Sequence, residues 1–223
     1  MSRLSKTSKL KHFLKKNCLE VGVDEVARGC LVGRVYAAAV IWNPLVKDVW
    51  DVEVPNIRDS KKCSAEERQE LRKFIEKYSI DWGIGWVDEK EVDKINIRNA
   101  TFKAMHKALD QLIITPENIL VDGNSFPSYP FRSDNPLPHT CIIKGDNKLI
   151  SIAAASILAK TYRDDYINQL LEENPDYLKY KWDKNNGYST KEHVDAIEKY
   201  GLTPYHRTTF GICKKYKNNT LLQ

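Results

Sequence analysis

The sequence lacks the features that define several large classes of protein. None of its apolar runs approaches the ~20 residues that a helix needs to cross a bilayer. The N-terminus has no apolar core of the kind found in secretory signals. No internal repeat, low-complexity stretch or linker rich in glycine, proline or serine interrupts the chain. We therefore expect a cytoplasmic protein without a membrane partner, built as one full domain with at most a short appendage.

Cysteine pairs with metal-binding spacing are also absent. The chain has five cysteines, an odd number, and no two of them form a CxxC pair: Cys18, Cys30, Cys63, Cys141 and Cys213. This pattern argues against both a disulfide framework and a structural zinc site. We expect reduced and mostly buried thiols.

Acidic residues are missing from both ends of the chain. The net charge is only +5, but residues 1–16 contain six lysines and arginines and no acid, and no acid follows Glu198. We therefore divide the chain into a basic N-terminal arm, residues 1–17, and a domain, residues 18–223. Basic ends can bind phosphates or can simply be solvated, and the sequence leaves that choice open. No heptad pattern indicates self-association, so we expect a monomer.

The order of strands and helices predicts an α/β fold. Capping boxes at 64–67 and at Ser189–Glu192 each indicate the start of a helix. Strands are predicted at 18–26, 34–42, 81–87, 119–121 and 139–144, and helices at 64–78, 89–95, 97–112, 150–172 and 189–201. This order implies a sheet with helices on both faces, and a helical C-terminal segment that begins at about residue 165. The many alanines that open the 150–172 helix favour close approach to the sheet.

Four carboxylates fall at the ends of predicted strands or just beyond them: Asp24, Glu25, Asp122 and Asp146. Ligands of open α/β sheets bind where the strands end, and acids that converge there repel one another unless cations neutralise them. Mg²⁺ prefers such oxygen ligands, and two divalent ions can activate a water and stabilise the leaving oxygen of a phosphodiester.

Each of these acids taken alone can be an ordinary turn residue, since Asp122-Gly123 is a common turn dipeptide. The joint pattern favours a site. Asp24 and Glu25 are neighbours, so on a regular strand their side chains point to opposite faces. Both serve one site only if the strand twists or ends there, as the following turn suggests.

Several motifs together resemble the ribonuclease HII family. They are GVDEVARGCLVG at 22–33, DSKK at 59–62, VDGN at 121–124, KGDNKLISIAAASILAKTYRDDY at 144–166, and NNGYSTKEH with YGLTPYHRTTF between 185 and 210. The similarity extends from about Leu19 to Phe210. It implies a ribonuclease H-like fold with a mixed, five-stranded sheet flanked by helices.

The resemblance also assigns roles to individual residues. It implies that Asp24, Glu25, Asp122 and Asp146 are the catalytic residues and the ligands of two Mg²⁺ or Mn²⁺ ions. It places the family's loop that contacts the 2′-hydroxyl on Ala27-Arg28-Gly29, and its phosphate-proximal lysine on Lys61. The family's sugar-stacking tyrosine falls on Tyr188, which without the resemblance would be read as a loop or core aromatic.

The implied activity is endonucleolytic hydrolysis of the RNA strand of RNA–DNA hybrids and cleavage 5′ to ribonucleotides embedded in duplex DNA. The products would carry 3′-hydroxyl and 5′-phosphate ends. The nearest alternative is a DNA-acting nuclease on the same fold, which would have no use for a loop that senses a 2′-hydroxyl. A non-catalytic hybrid-binding protein and a scaffold protein fit less well, because all four acids are present.

Three questions stay open at this level. The first loop glycine of the family is Ala27 here, and if its φ is positive, alanine strains the loop and weakens the preference for a single ribonucleotide. Ser156, Lys160 and Arg163 either face a phosphate backbone or, for the lysine, pair with a nearby acid. His206-Arg207 either binds phosphate or packs inside the domain.

Overall fold

The computed structural model describes residues 8–130 and 135–217, and the predicted basic residues Arg3 and Lys6 lie outside this part of the chain. Its strands are β1 (Glu20–Val26), β2 (Val35–Ile41), β3 (Asp81–Val87), β4 (Asn118–Asp122) and β5 (His139–Ile142). They form one five-stranded sheet in the order β3-β2-β1-β4-β5. The β3-β2-β1 pairs are antiparallel, whereas β1-β4 and β4-β5 are parallel. The predicted mixed sheet is confirmed.

Helices cover both faces of this sheet, as predicted. They are α1 (Val46–Trp50), α2 (Ala65–Tyr78), α3 (Glu89–Asp110), α4 (Ile150–Glu173), α5 (Trp182–Asn185), α6 (Lys191–Tyr200) and α7 (Cys213–Tyr216). Alternate residues of β2 separate the two cores: Ala37 and Ala39 pack with α3, while Ala38 and Val40 pack with α2 and α4. This is the two-residue alternation of a strand that is buried on both faces.

Small residues bring the two long helices close to the sheet. A Cβ atom added to Gly22 of β1 would lie 2.3 Å from the backbone carbon of Ser151 in α4, and one added to Gly85 of β3 would lie 2.1 Å from the carbonyl oxygen of Ala104 in α3. The alanine-rich start of α4 therefore has the packing role that its composition predicts.

Two features of the helices differ in how well the sequence anticipated them. The predicted break between residues 95 and 97 is real, since Asn96 has a non-helical φ of 66° and ψ of 160° inside α3. The predicted capping box at Ser189 is wrong by one residue. The N-cap of α6 is Thr190, whose side chain accepts a hydrogen bond from the amide of His193. Thr190 takes this role because its backbone is extended while the next residue already begins the helix.

The C-terminal helical segment packs over one end of the sheet. Besides α5, α6 and α7 it contains a 3₁₀ turn at Pro175–Tyr180, and its core is formed by Tyr180, Trp182 and Ile197 together with Leu31 and Val32 of the loop after β1. The part of the N-terminal segment that the structure describes contacts the domain as well. Lys11 forms a parallel bridge to Leu149.

Three further expectations concern the thiols, the membrane and the assembly. All five cysteines are free, and Cys30, Cys63 and Cys213 are buried, which confirms the predicted reduced and mostly buried thiols. Among residues 8–130 and 135–217, no helix has both the length and the apolar character needed to span a bilayer. The division at residue 17, the monomeric state and the cytoplasmic location stay predictions.

Candidate active site

The sheet brings the four predicted acids to one edge. Asp24 and Glu25 lie near the end of β1, and Asp122 is the last residue of the neighbouring parallel strand β4. Since Val23 pairs with Val121, Asp24 and Asp122 leave their strands at the same level. Asp146 lies in the 3₁₀ turn Gly145–Asn147 that follows β5, the next parallel strand.

Burial and mutual repulsion perturb these carboxyl groups. Burial raises the pKa of Asp24 well above its ordinary value, and the charges of Glu25 and Asp122 raise it further. Burial also raises the pKa of Glu25, although the Arg28 guanidinium opposes this shift. The pKa of Asp122 is raised by burial and, to a lesser degree, by Asp146. A bound cation would stabilise negative charges that lie this close together, because it offsets their mutual repulsion.

Each carboxylate is held by one local hydrogen bond. Asp24 accepts from the amide of Glu25 at 2.7 Å, and Asp122 accepts from the amide of Gly145 at 2.6 Å. Asp146 accepts from the side chain of Asn147 at 2.8 Å. The remaining carboxylate lone pairs are hard oxygen donors of the kind that Mg²⁺ and Mn²⁺ prefer.

The neighbouring acids Asp24 and Glu25 do face opposite sides of the strand. Asp24 points towards α4, where the hydroxyl of Ser156 opposes the rise in the pKa of its carboxyl group. Glu25 points to the α3 side and forms an ion pair with Arg28 at 3.1 Å. Both still interact with Asp122, because β1 ends at this edge. Both acids can therefore belong to one site, because the strand ends there.

The acids lie close together, but their side chains are not arranged as a metal-binding site. Within the described residues, no group of three or more His, Cys, Asp or Glu side chains is arranged to hold a metal ion. The ion pair between Glu25 and Arg28 is one reason, since it occupies an oxygen of Glu25. The oxygen donors and the repulsion among the acids fit divalent cations.

The loop after β1 has the positive backbone angle that alanine disfavours. Ala27 has a φ of 69° and is only 2% exposed. Its carbonyl oxygen accepts a hydrogen bond of 2.8 Å from Nη1 of the buried Arg207. Arg28 is half exposed, and a Cβ atom at Gly29 would meet nothing within 4 Å, so the loop is open to solvent at these two residues.

The other two predicted substrate-binding residues lie on separate elements. Lys61 is exposed in the 3₁₀ turn Ser60–Lys62, near enough to lower the pKa of Asp122 by its charge. Tyr188 is 41% exposed just before α6, and the guanidinium of Arg163 lies 5.9 Å from its ring centroid. Burial and the adjacent Cys30 raise the pKa of Tyr188 to about 12.

The structure answers the open questions about the basic residues of α4 and the C-terminal segment. Ser156 and Arg163 are buried, and Lys160 pairs with Asp164 at 2.8 Å, so the ion-pair alternative holds for the lysine. His206 and Arg207 are also buried, which rules out phosphate binding by these two side chains in this conformation.

Sequence reasoning missed two contributors to this edge. Ser60 forms a 3.0 Å hydrogen bond with Ser156, which links the 3₁₀ turn that carries Lys61 to the partner of Asp24. Arg98 of α3 lines a small cleft of about 90 Å³ together with Glu25, Arg28 and Asp122. Neither residue stands at a strand end, and although Ser60 lies in the DSKK motif, only Lys61 of that motif was assigned a role.

The strand order and the helices on both faces of the sheet define a ribonuclease H-like fold, and solved structures share it. The ribonuclease H2 of Pyrococcus horikoshii OT3 matches 90% of this chain and 97% of its own with a TM-score of 0.72 at 23% identity. A Bst-RNase HIII in complex with Mn²⁺ matches 90% of this chain and 69% of its own with a TM-score of 0.65 at 19% identity.

Sequence comparison identifies the particular family. The family model described as Ribonuclease HII matches residues 21–213. The Ribonuclease HII of Bacteroides thetaiotaomicron is 52% identical over 200 residues, which is 90% of this chain and 93% of the relative. The chain therefore belongs to the ribonuclease HII family and is a ribonuclease H hydrolase.

Proposed function

We propose that this protein cleaves the RNA strand of RNA–DNA hybrids and cuts 5′ to ribonucleotides embedded in duplex DNA, leaving 3′-hydroxyl and 5′-phosphate ends. The observation that carries the proposal is the convergence of Asp24, Glu25, Asp122 and Asp146 at one edge of the sheet. The family that the chain belongs to supports the same activity.

The four carboxylates are the proposed ligands of two Mg²⁺ or Mn²⁺ ions. The Bst-RNase HIII structure with the same fold is a complex with Mn²⁺, which supports a divalent ion as the cofactor. When bound, the ions would supply an activated water and stabilise the leaving oxygen. Glu25 would exchange its ion pair with Arg28 for this role, and the freed guanidinium would then be available to the phosphate backbone.

Selection of a ribonucleotide is assigned to the loop Ala27-Arg28-Gly29 and to Tyr188. The 2′-hydroxyl is the group that distinguishes RNA from DNA at one nucleotide. Carbonyls of the loop face inward to Arg207, whereas Arg28 and Gly29 are exposed at the same edge as the acids. The ring of Tyr188 would contact the next sugar and exclude a 2′-hydroxyl there by crowding.

Lys61 is assigned to the scissile phosphate. Its charge acts on Asp122, so a phosphate held beside the acids would lie within its reach. The Ser60–Ser156 hydrogen bond fixes the turn that carries it. A positive charge at this place offsets the repulsion between the phosphate and the carboxylates.

A cleavage assay tests the proposal. The protein is incubated with Mg²⁺ or Mn²⁺ and a labelled duplex that contains one ribonucleotide, a run of RNA, or DNA alone. We expect cleavage 5′ of the ribonucleotide, abolished by Asp122→Asn and retained by Asp195→Asn, which neutralises an exposed acid on α6. Cleavage of the all-DNA duplex at an equal rate would favour the DNA-acting nuclease and overturn the proposal.

A further inference from the structure

Two consecutive buried residues, His206 and Arg207, have no role in the proposed chemistry. The guanidinium of Arg207 is fully buried, and the ring of His206 is 2% exposed. They lie between α6 and α7, distant in sequence from the loop after β1. Polar side chains this deeply buried are retained at a cost unless their hydrogen bonds fix something specific.

Arg207 holds the loop after β1 by its carbonyl groups. Its Nη1 donates to the carbonyl oxygens of Ala27, Arg28 and Cys30 at 2.8, 3.1 and 3.0 Å, and its Nε donates to that of Gly33 at 2.9 Å. A single rigid fork thus turns four carbonyls inward. Its backbone amide adds a 2.8 Å bond to the carbonyl of Leu31. Such a grip stabilises the positive φ that Ala27 adopts.

His206 reaches the other sensing element through a second histidine. Its Nε2 lies 3.2 Å from Nε2 of the fully buried His193, and Nδ1 of His193 lies 2.9 Å from the carbonyl oxygen of Tyr188. The relay is fixed at its far end, because the amide of Thr203 donates to Nδ1 of His206 at 2.9 Å.

Hydrogen-bond chemistry assigns every proton in this relay. Nδ1 of His206 accepts from the Thr203 amide, so in the neutral ring Nε2 carries the proton and donates to His193. Nε2 of His193 also accepts from the indole of Trp182 at 3.0 Å. The proton of His193 is therefore on Nδ1, where it donates to the Tyr188 carbonyl. Burial lowers the pKa of both histidines, which keeps the rings neutral.

We infer that the His206–Arg207 dipeptide is a shared positioning element that holds the ribose-sensing loop and Tyr188 at a fixed separation. Arg207 acts on the loop, and His206 acts on Tyr188 through His193. None of these residues touches the reacting atoms. The inference rests on the proposed function, because it assigns the ribose test to that loop and the test of the next sugar to that tyrosine.

The relay is tested first without any activity measurement. Correlation of the imidazole protons with ¹⁵N in the full chain at neutral pH identifies the tautomer of each ring. We expect a proton on Nε2 of His206 and on Nδ1 of His193. The opposite tautomer of either ring, or a protonated ring, would overturn the relay.

The functional half of the inference is tested by measuring kcat/KM on two duplexes and taking the ratio of the first to the second. One carries a single ribonucleotide followed by deoxyribose, and the other carries a run of RNA. His193→Gln removes the donor to Tyr188, whereas His193→Asn keeps an amide donor at the position of Nδ1. We expect the ratio to fall roughly tenfold in the first variant and to stay close to the wild-type ratio in the second.

Arg207→Lys tests the effect of the loop independently of Tyr188. Lysine keeps the charge but lacks the fork, so we expect kcat/KM to fall on both duplexes, roughly tenfold or more. Ile197→Val, in the same buried cluster, is the control for an effect on stability alone. It should leave kcat/KM unchanged on both duplexes.

The outcomes distinguish this inference from the proposed function. A wild-type protein that cuts a ribonucleotide with normal preference, together with an unchanged ratio in His193→Gln, would overturn the inference alone. A wild-type protein without any preference for a ribonucleotide would overturn the proposed function and the inference with it.

Discussion

The left-handed backbone at Ala27 leads to a quantitative prediction about Ala27→Gly. A non-glycine residue at φ 69° costs about 1–2 kcal/mol, which glycine relieves. The substitution also removes a buried methyl group, worth about 0.8 kcal/mol, and raises the unfolded-state entropy by about 0.4–1 kcal/mol. These effects nearly cancel. We therefore expect the free energy of unfolding to change by less than about 1 kcal/mol.

A second buried alanine supplies the matched control. Ala39 lies in the extended strand β2 and is fully buried, without a positive φ. Ala39→Gly loses the methyl group and gains the same unfolded-state entropy, so its cost should be about 1.2–1.8 kcal/mol. Urea unfolding of both variants measures the difference. Equal losses at the two positions would refute the reasoning, because no strain would then be stored at Ala27.

The same variant tests whether the backbone strain at Ala27 affects cleavage of the substrate. On a duplex that carries one ribonucleotide, Ala27→Gly should raise kcat/KM and sharpen the preference for that duplex, by up to about tenfold if the released strain is near 1.4 kcal/mol. A duplex with a run of RNA is the comparison substrate. Unchanged rates and unchanged selectivity would show that alanine is harmless in this loop.

Three further predictions concern the stability of the domain and the attachment of its C-terminal segment. Burial lowers the pKa of His206 to about 3, so its unfolded state binds the proton first and stability falls as the pH drops below about 6.5; urea unfolding at pH 6.5 and 5 should differ by about 2 kcal/mol, a slope that His206→Gln flattens. Gly22→Ala would force a Cβ atom against the backbone of α4. It should lower the free energy of unfolding by about 1–3 kcal/mol, which is measured as a lower melting temperature. Asp93→Ala removes the acceptor for the amides and hydroxyls of Thr208 and Thr209, so amide exchange at these two residues should accelerate, whereas unchanged protection would contradict the assignment.

The strands, helices and acid positions follow from local sequence. The continuous apolar run of β2, the Ser64 capping box of α2 and the break at Asn96 are all patterns that neighbouring residues specify. The error at Thr190 arises because two adjacent hydroxyl residues can each serve as an N-cap. The capping box points to Ser189, but the backbone angles place the N-cap at Thr190.

The candidate site could be predicted only in part. The sequence indicated Asp24, Glu25, Asp122 and Asp146 because acids at strand ends are visible along the chain. That Asp24 and Asp122 leave β1 and β4 at the same level is a property of strand register. The ion pair of Glu25 with Arg28, which the proposed metal ions would have to displace, depends on side-chain conformation and has no sequence signal.

The sequence by itself indicated the family, the mixed sheet and the four acids of the candidate site. Tertiary structure alone decided the fate of His206 and Arg207, which the sequence left open between phosphate binding and packing. Their partners are up to 180 residues away along the chain, as the bond from Arg207 to Ala27 shows. The physical reason is that local patterns encode helices and strands, whereas the burial of a charge depends on which distant carbonyls the completed fold brings to it.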